Sequence, residues 1–423
     1  MNVRISPHPL SGAIAAPASK SEAHRLLICA ALSNQQTHIH INASSNDIEA
    51  TIGCLRALGA SIVQKKDEFV VTPINTENIP DTPLLDCQES GSTLRFLLPV
   101  VTALCEHANF SGSGRLPDRP IGELLNEMER HGVVFTSNKL PLETKGKLQP
   151  GEYRLPGNIS SQYITGLLLA LPLFKQDSRL TLTSSLQSAA YVDITLDALS
   201  RFGVVPKKVK DGTQITGYDI YGTAFCSPGV VTAGGDWSNA AFFLAAGALG
   251  DPVSVTELDM NSPQGDRKIL ELLRIFGAEV EVHGDTITVS PAPLHGHEID
   301  IDPTPDLLPI LSVIACYSSG TTAFVNGARL RLKESDRLSA TAAMIRSLGG
   351  RVHELSDKLV VQGTPLDGGT VDGYHDHRIV MAAAIAAVCC TGDVTVIGAE
   401  AINKSYPNFF KDYETLGGEV HVL

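Results

Sequence analysis

Residues 55–63 read LRALGASIV, a run of helical character that stops at Gly59 and opens into a short strand. The signature returns as MERHGVVF at 128–135, LSRFGVVPKKV at 199–209, LRIFGAEVEV at 273–282, IRSLGGRVHE at 345–354 and YETLGGEVHV at 413–422. Its glycines, Gly59, Gly132, Gly203, Gly277, Gly349 and Gly417, lie 73, 71, 74, 72 and 68 residues apart. A helix commonly ends with one residue in the left-handed conformation, which glycine takes without a Cβ clash. A near-constant period repeated six times means one supersecondary unit copied six times.

The rest of the unit follows from what flanks each glycine. SIVQKKDEFVVTP, EVEVHGDTITVSP and RVHELSDKLVVQG read as hairpins around Lys66-Asp67, Gly284-Asp285 and Asp357-Lys358. A polar loop then opens an aliphatic helix: PASKSEAHRLLICAAL, QESGSTLRFLLPVVTAL, GNISSQYITGLLLALPLF, GGDWSNAAFFLAAGAL, TPDLLPILSVIACY and YHDHRIVMAAAIAAVCC. These helices are apolar nearly all round and are expected to be buried. A short strand and a second, amphipathic helix complete the unit as βαβαββ. A chain of 423 residues exceeds one ordinary core, so the expectation is an α/β fold of two domains, three units in each.

Composition narrows the function. The net charge of −13 argues against general nucleic-acid or anionic-membrane binding. The longest fully apolar run, Ile379–Cys390, is too short to span a bilayer, and MNVRISPHPLSG at the start lacks the apolar core of a signal peptide. Eight cysteines show no CxxC spacing, which points to a reducing, cytoplasmic setting. A monomer acting on small molecules is expected.

Against that acidic total, cations gather where the buried helices begin: Lys20, Arg25, Arg95, Arg119, Lys333, Arg337, Arg378 and Lys404. A helix N-terminus carries unsatisfied N–H groups and partial positive charge and attracts anions. Parallel buried helices would thus present several anion-seeking mouths to a phosphate- or carboxylate-bearing substrate. Taken singly, each motif has an ordinary reading. Lys20-Ser21 with Arg25 is a capped helix with surface charges. Glu89 to Arg95 is a capped Gly/Ser turn and no Walker motif. Asp118 to Gly122 is a helix start with proline in its first turn. Ser160-Ser161-Gln162 is ordinary capping. Lys333 and Arg337, at i and i+4, share a helix face in what reads as a surface ion-pair network. His375-Asp376-His377-Arg378 reads as a cap by Asp376 with Arg378 at an anion, in preference to a metal site.

Together and in order, these motifs resemble the 5-enolpyruvylshikimate-3-phosphate synthase family of enolpyruvyl transferases over essentially the whole chain. The matches are Lys20, Ser21 and Arg25; Gly91 and Arg95; Arg119 to Gly122; Ser160 to Gln162; Ser188 and Tyr191; Pro305-Asp306; Lys333 to Arg337; Asp376 to Arg378; and Lys404 ahead of Tyr406-Pro407. The chain departs from the family pattern at Glu89, Ser92, Phe96 and Arg329, which bears on affinity and inhibitor sensitivity.

The resemblance implies an inverse α/β barrel arrangement, with residues 17–233 as one domain, residues 1–16 and 234–423 as the other, and an active site in the cleft between them. It implies transfer of the enolpyruvyl group of phosphoenolpyruvate to the 5-hydroxyl of shikimate 3-phosphate, with release of phosphate, on the way to chorismate and the aromatic amino acids. Neither cofactor nor metal is needed, and the family is the target of glyphosate. Asp306, Glu334 and Lys20 are the implied catalytic groups. Shikimate 3-phosphate falls to Lys20, Ser21, Arg25, Ser160, Ser161, Gln162, Ser188, Tyr191, Asp306 and Lys333. Phosphoenolpyruvate falls to Lys20, Gly91, Arg119, Gln162, Arg337, Arg378 and Lys404. Two alternatives stand beside this reading. One is the same chemistry on UDP-N-acetylglucosamine, against which the cysteine-free loop Ser111–Pro120 argues. The other is a non-catalytic repeat scaffold, which leaves the cationic helix mouths unexplained.

Overall fold

The computed structural model describes residues 1–423. The chain forms two compact units, Lys20–Ala233 and Met1–Ser19 with Gly234–Leu423. Residues 17–19 therefore group with the chain's two ends, where the sequence boundary had put them with 20–233. Backbone pairing accounts for this: the Ser19 N–H donates to the Gly234 carbonyl at 2.7 Å and the Asp236 N–H to the Pro17 carbonyl at 2.8 Å.

The unit Lys20–Ala233 carries helices α1 (Lys20–Ala31), α2 (Asn46–Ala57), α3 (Gly91–Leu104), α4 (Gly122–Glu129), α5 (Ser161–Ala170) and α6 (Ala189–Arg201). The other carries α7 (Trp237–Leu249), α8 (Ile269–Phe276), α9 (Leu308–Cys316), α10 (Arg337–Ser347), α11 (His377–Ala386) and α12 (Phe409–Thr415). The second copy shows the plan. Leu84–Asp86 runs parallel to His107–Ser111, which pairs antiparallel with Leu142–Lys145, and that strand pairs with Val134–Phe135. Helix α3 makes the parallel crossover and α4 leads into the hairpin. Five further four-stranded sheets repeat this order, and all six stay separate.

Three strands are supplied out of chain order. Val230–Thr232 lies parallel to Thr37–His40 and so serves as first strand of the first copy. Gly12–Ala15 does the same for Val253–Thr256 in the fourth. Asn2–Ser6 completes the sixth, between Val394–Ile397 and Glu419–Val422. The strand before α1 thus belongs to one unit and α1 to the other, so the chain crosses there and again before α7.

The strands bury alternate residues, while α5, α7, α9 and α11 are buried on nearly every face. That pattern demands small residues where elements meet. Gly166 is one: a Cβ there would run into the Arg95 carbonyl, so its absence lets α5 lie against α3. The six repeat glycines all hold φ between +77° and +113°. One sequence expectation about a helix start fails here. Pro120 lies outside α4, before the Ile121 cap, and not in its first turn.

The repeat glycines differ in what surrounds them. Gly59 has open space where a Cβ would stand, whereas at Gly277 it would lie 2.5 Å from the Pro293 carbonyl oxygen. Gly59→Ala should cost about 1–2 kcal/mol from the left-handed backbone alone. Gly277→Ala should lower the melting temperature more. Equal shifts in thermal melts of the two variants would show that backbone strain is the whole effect at both sites.

Candidate active site

In the unit Lys20–Ala233, four helix mouths carry the expected side chains. Lys20 opens α1, where a cation opposes the helix dipole. It is held by Asp47 in the first turn of α2, Nζ to Oδ2 2.9 Å. Behind this pair runs a line of buried hydroxyls. His24 Nδ1 meets the Thr51 hydroxyl at 2.7 Å, Thr51 meets Thr93 at 2.7 Å, and Thr93 donates to Ser90, the cap of α3. Burial pulls the His24 imidazole down to about 3, so it sits neutral in this line.

Arg25 is almost wholly buried. Its Nε donates to Thr195 at 2.8 Å, NH1 to the Ser21 carbonyl at 2.6 Å, and NH2 to the Tyr191 carbonyl at 2.9 Å. Its guanidinium lies 4.7 Å from the Phe96 ring centre. Arg25 thereby ties α1 to α6, fixing Tyr191 and the turn that starts at Ser188. Ser188 itself caps α6 in the left-handed conformation, φ +51°. Ser160 caps α5 by accepting from the Gln162 N–H, and Ser161 is the first helical residue.

Gln162 bridges two mouths. Its Oε1 accepts from Arg95 NH1 at 2.7 Å and its Nε2 donates to Ser92 at 3.0 Å. Arg95 also donates to the Pro120 carbonyl at 3.0 Å, and the Tyr163 hydroxyl donates to the same oxygen. That carbonyl anchors the segment carrying Arg119. Gly91 is where the groups crowd together: a Cβ on it would lie 2.6 Å from Arg119 NH1 and 2.8 Å from Arg95 NH1. Two guanidinium groups thus stand over the first turn of α3, and a Cβ there would have to push them aside.

In the unit of the chain's two ends, the cations converge on one carboxylate. Asp306 lies in the turn Pro305–Leu307 that leads into α9. Its Oδ1 accepts from Arg337 NH1 at 2.6 Å and Lys333 Nζ at 3.3 Å, and Arg378 NH2 is 3.6 Å from Oδ2. Burial alone would raise the Asp306 carboxyl, but Lys333, Arg337 and Arg378 outweigh it and hold it well below the usual carboxylate range.

Arg337 is the hub. It is 1% exposed and also binds Glu334 at 2.8 Å and Asp376 at 3.0 Å. Burial works against its charge, and Asp376, Asp306 and Glu334 more than restore it. Asp376 meanwhile caps α11 through the Arg378 N–H at 2.9 Å and accepts from Ser335 at 2.9 Å. Arg378 donates from NH1 to the Ser238 carbonyl at 2.8 Å and to Asn239 Oδ1 at 3.2 Å. Lys404 is buried at the end of the short helix Ala399–Lys404.

Two sequence readings change here. Lys333 and Arg337 do not share a helix face, because Lys333 is extended at the end of the turn Ala328–Leu332 and α10 begins only at Arg337. They meet through Asp306. Nor is the charge cluster a surface network, since Arg337 and Asp376 are buried. Other residues went unread. Asp47, Ser238, Asn239 and Asp266 all touch the site residues or their immediate partners, and none carries a sequence signal beyond being polar near a helix start. Arg329, a departure from the family pattern, binds Asp302 through Nε at 3.1 Å and NH2 at 2.6 Å, four residues ahead of Asp306.

Comparison with known proteins places the chain in a family. The family model for EPSP synthase (3-phosphoshikimate 1-carboxyvinyltransferase) matches residues 5–413. A 3-phosphoshikimate 1-carboxyvinyltransferase of Clostridium kluyveri is 41% identical, over 99% of this chain and 98% of that one. The enzyme of that name in Clostridium novyi is 40% identical over the same shares. Among solved structures, EPSP synthase from Acinetobacter baumannii aligns over 100% of both chains with a TM-score of 0.81 at 24% identity. The enolpyruvyl transferase NikO from Streptomyces tendae aligns over 99% of this chain and 98% of its own with a TM-score of 0.78 at 19% identity. The latter two speak to the fold alone. The chain belongs to the EPSP synthase (3-phosphoshikimate 1-carboxyvinyltransferase) family.

Proposed function

We propose that the two clusters divide the work of one enolpyruvyl transfer. The reaction is the family's: the 5-hydroxyl oxygen of shikimate 3-phosphate adds to C2 of phosphoenolpyruvate while C3 gains a proton. Phosphate then leaves from the tetrahedral intermediate as C3 gives the proton up. Such chemistry calls for acid–base groups and for cations on developing charge.

The observation that carries the assignment is the convergence of Lys333, Arg337 and Arg378 on Asp306, with Glu334 on the same arginine. Three cations this close to one carboxylate keep it ionised and make it a poor base. An arriving phosphoenolpyruvate offers Arg337 and Arg378 stronger anionic partners, and the shikimate phosphate offers one to Lys333. As the cations turn to the substrates, Asp306 regains basicity where the 5-hydroxyl proton must go. The substrates thereby switch on the base. Glu334, released from Arg337 in the same exchange, serves proton traffic at C3, together with Lys20.

On the other unit, Arg119, Gln162 and the Gly91 turn take phosphoenolpyruvate oxygens, joined by Arg378 and Lys404. Ser21, Ser160, Ser161, Ser188 and Tyr191 take shikimate 3-phosphate, with Lys20 serving both. Arg25 takes shikimate 3-phosphate too, and its bonds to the Ser21 and Tyr191 carbonyls fix two of these residues. The reading takes the chain as a cytoplasmic monomer. Eight free cysteines support a reducing setting, the charge of −13 argues against nucleic acid, and the cations at the helix mouths support small anionic substrates. No helix is long and apolar enough to cross a membrane.

Phosphate release on mixing phosphoenolpyruvate with shikimate 3-phosphate tests the activity. One phosphate per enolpyruvyl ether is expected. Release with UDP-N-acetylglucosamine in place of shikimate 3-phosphate, or none with either, would overturn the reading. Within the site, Glu334→Gln keeps shape but removes the proton, and should cut kcat by about 100-fold or more with a smaller change in KM. A change confined to KM would make Glu334 a binding residue.

Gly91→Ala should displace the Arg119 and Arg95 guanidinium groups and raise KM for phosphoenolpyruvate by about tenfold, while KM for shikimate 3-phosphate moves less. Glyphosate, read as competing for the same cations, should lose more affinity than phosphoenolpyruvate does. Unchanged constants for both would show that the Cβ is absorbed elsewhere.

A further inference from the structure

One buried carboxyl group has no part in the reaction above. Asp266 lies in the turn Gly265–Lys268 ahead of α8 and is 3% exposed. Its Oδ2 accepts a short hydrogen bond from the Ser238 hydroxyl, and its Oδ1 finds no hydrogen-bond partner. Ser238 sits in the first turn of α7. Its carbonyl accepts from Arg378 NH1, and the neighbouring Asn239 accepts from the same group. Two contacts therefore separate Asp266 from the Arg378 guanidinium. A buried carboxyl with an unmatched oxygen, set among other acids, is costly to ionise.

We propose that Asp266 is a positioning residue for Arg378: as a neutral acid it anchors Ser238 and leaves the Arg378 charge to the incoming anion, and once ionised it competes for that charge. The inference rests on Arg378 being a phosphoenolpyruvate ligand. The charged groups facing Asp266 are Asp306 ahead of α9, Asp236 at the cap of α7, and Arg378 on α11. Burial, then Asp306, raise the Asp266 carboxyl to about 7, against the Ser238 bond and Arg378. Asp306 is driven the opposite way. Neighbouring acids pushed apart in this manner keep one proton between them until pH rises to about 7. The sign follows: as pH rises through about 7, Asp266 gains negative charge beside Arg378, so phosphoenolpyruvate binding weakens.

The test compares Asp266→Ala, Asp266→Asn and the unaltered enzyme by steady-state kinetics from about pH 6 to about pH 9. Alanine should raise KM for phosphoenolpyruvate by about tenfold with a smaller loss in kcat, having lost the anchor to Ser238. Asparagine, which accepts from Ser238 and cannot ionise, should recover most of that loss. Its KM should also climb less with pH than that of the unaltered enzyme. If alanine fails to fold, the pH slopes of the asparagine variant and the unaltered enzyme decide the matter. Equal slopes, or asparagine as impaired as alanine throughout, overturn the inference. Arg378→Gln separates the two possible failures. An unchanged KM for phosphoenolpyruvate there overturns the reading of Arg378 itself; a raised one, with equal Asp266 slopes, overturns only the role of Asp266.

Discussion

A single carboxylate, Asp306, held by Lys333, Arg337 and Arg378, is the constraint on which the site depends. Like charges packed at buried helix mouths repel, and the repulsion is strongest where water is scarce. Without counter-charges the cations could not share one place. The chain supplies those counter-charges from within: Asp306, Glu334 and Asp376 around Arg337, and Asp47 beside Lys20. Breaking such a buried pair typically costs about 3–5 kcal/mol, because the surviving charge is left alone. The internal acids are therefore structural, and in the proposed function they are also exchangeable, holding the cations until substrate anions take over some of their contacts.

The repeat explains how the cations come to be there. Each copy buries a helix lined with small and aliphatic residues, and its polar N-terminus is the part that the core cannot absorb. The caps Ser90, Ser160, Asp236 and Asp376 satisfy the first N–H groups from within. The side chains just before or inside the first turns are the ones that the proposed function assigns to the substrates. Glycine at each helix end returns the chain to the hairpin in the same way in every copy, so the mouths recur with the fold. Crossing between units at Ser19–Lys20 and Ala233–Gly234 leaves each unit with three complete sheets despite the split chain.

Most of this fold is legible in the residues. The left-handed glycines, the hairpin turns and the aliphatic helices announce themselves by period and by local chemistry, because each is decided within a few residues. The strand exchange is not legible in local chemistry: GAIA at 12–15 and VVT at 230–232 look like the strands of the helices that follow them, and only the family resemblance, which set residues 1–16 with 234–423, anticipates their pairing with Val253–Thr256 and Thr37–His40. In the site, the motif residues are readable because their types are unusual at a buried helix start. Their partners are not. Asp47 and Asp266 are ordinary acids in sequence, and what marks them is burial and proximity across more than twenty residues. Lys333 and Arg337 show the limit of spacing arguments: i and i+4 suggests a shared helix face, whereas the backbone is extended at Lys333 and a carboxylate 27 residues before it joins the two.

In the proposed reaction Asp306 competes with substrate anions for the cations and then acts as the base. Asp306→Asn keeps shape and removes charge, and its effect is read by equilibrium binding of shikimate 3-phosphate and phosphoenolpyruvate alongside single-turnover phosphate release. Substrate binding should be retained or tightened while the chemical step slows by about 100-fold or more. Weakened binding with an unslowed chemical step would contradict this, and would make Asp306 a structural counter-charge alone.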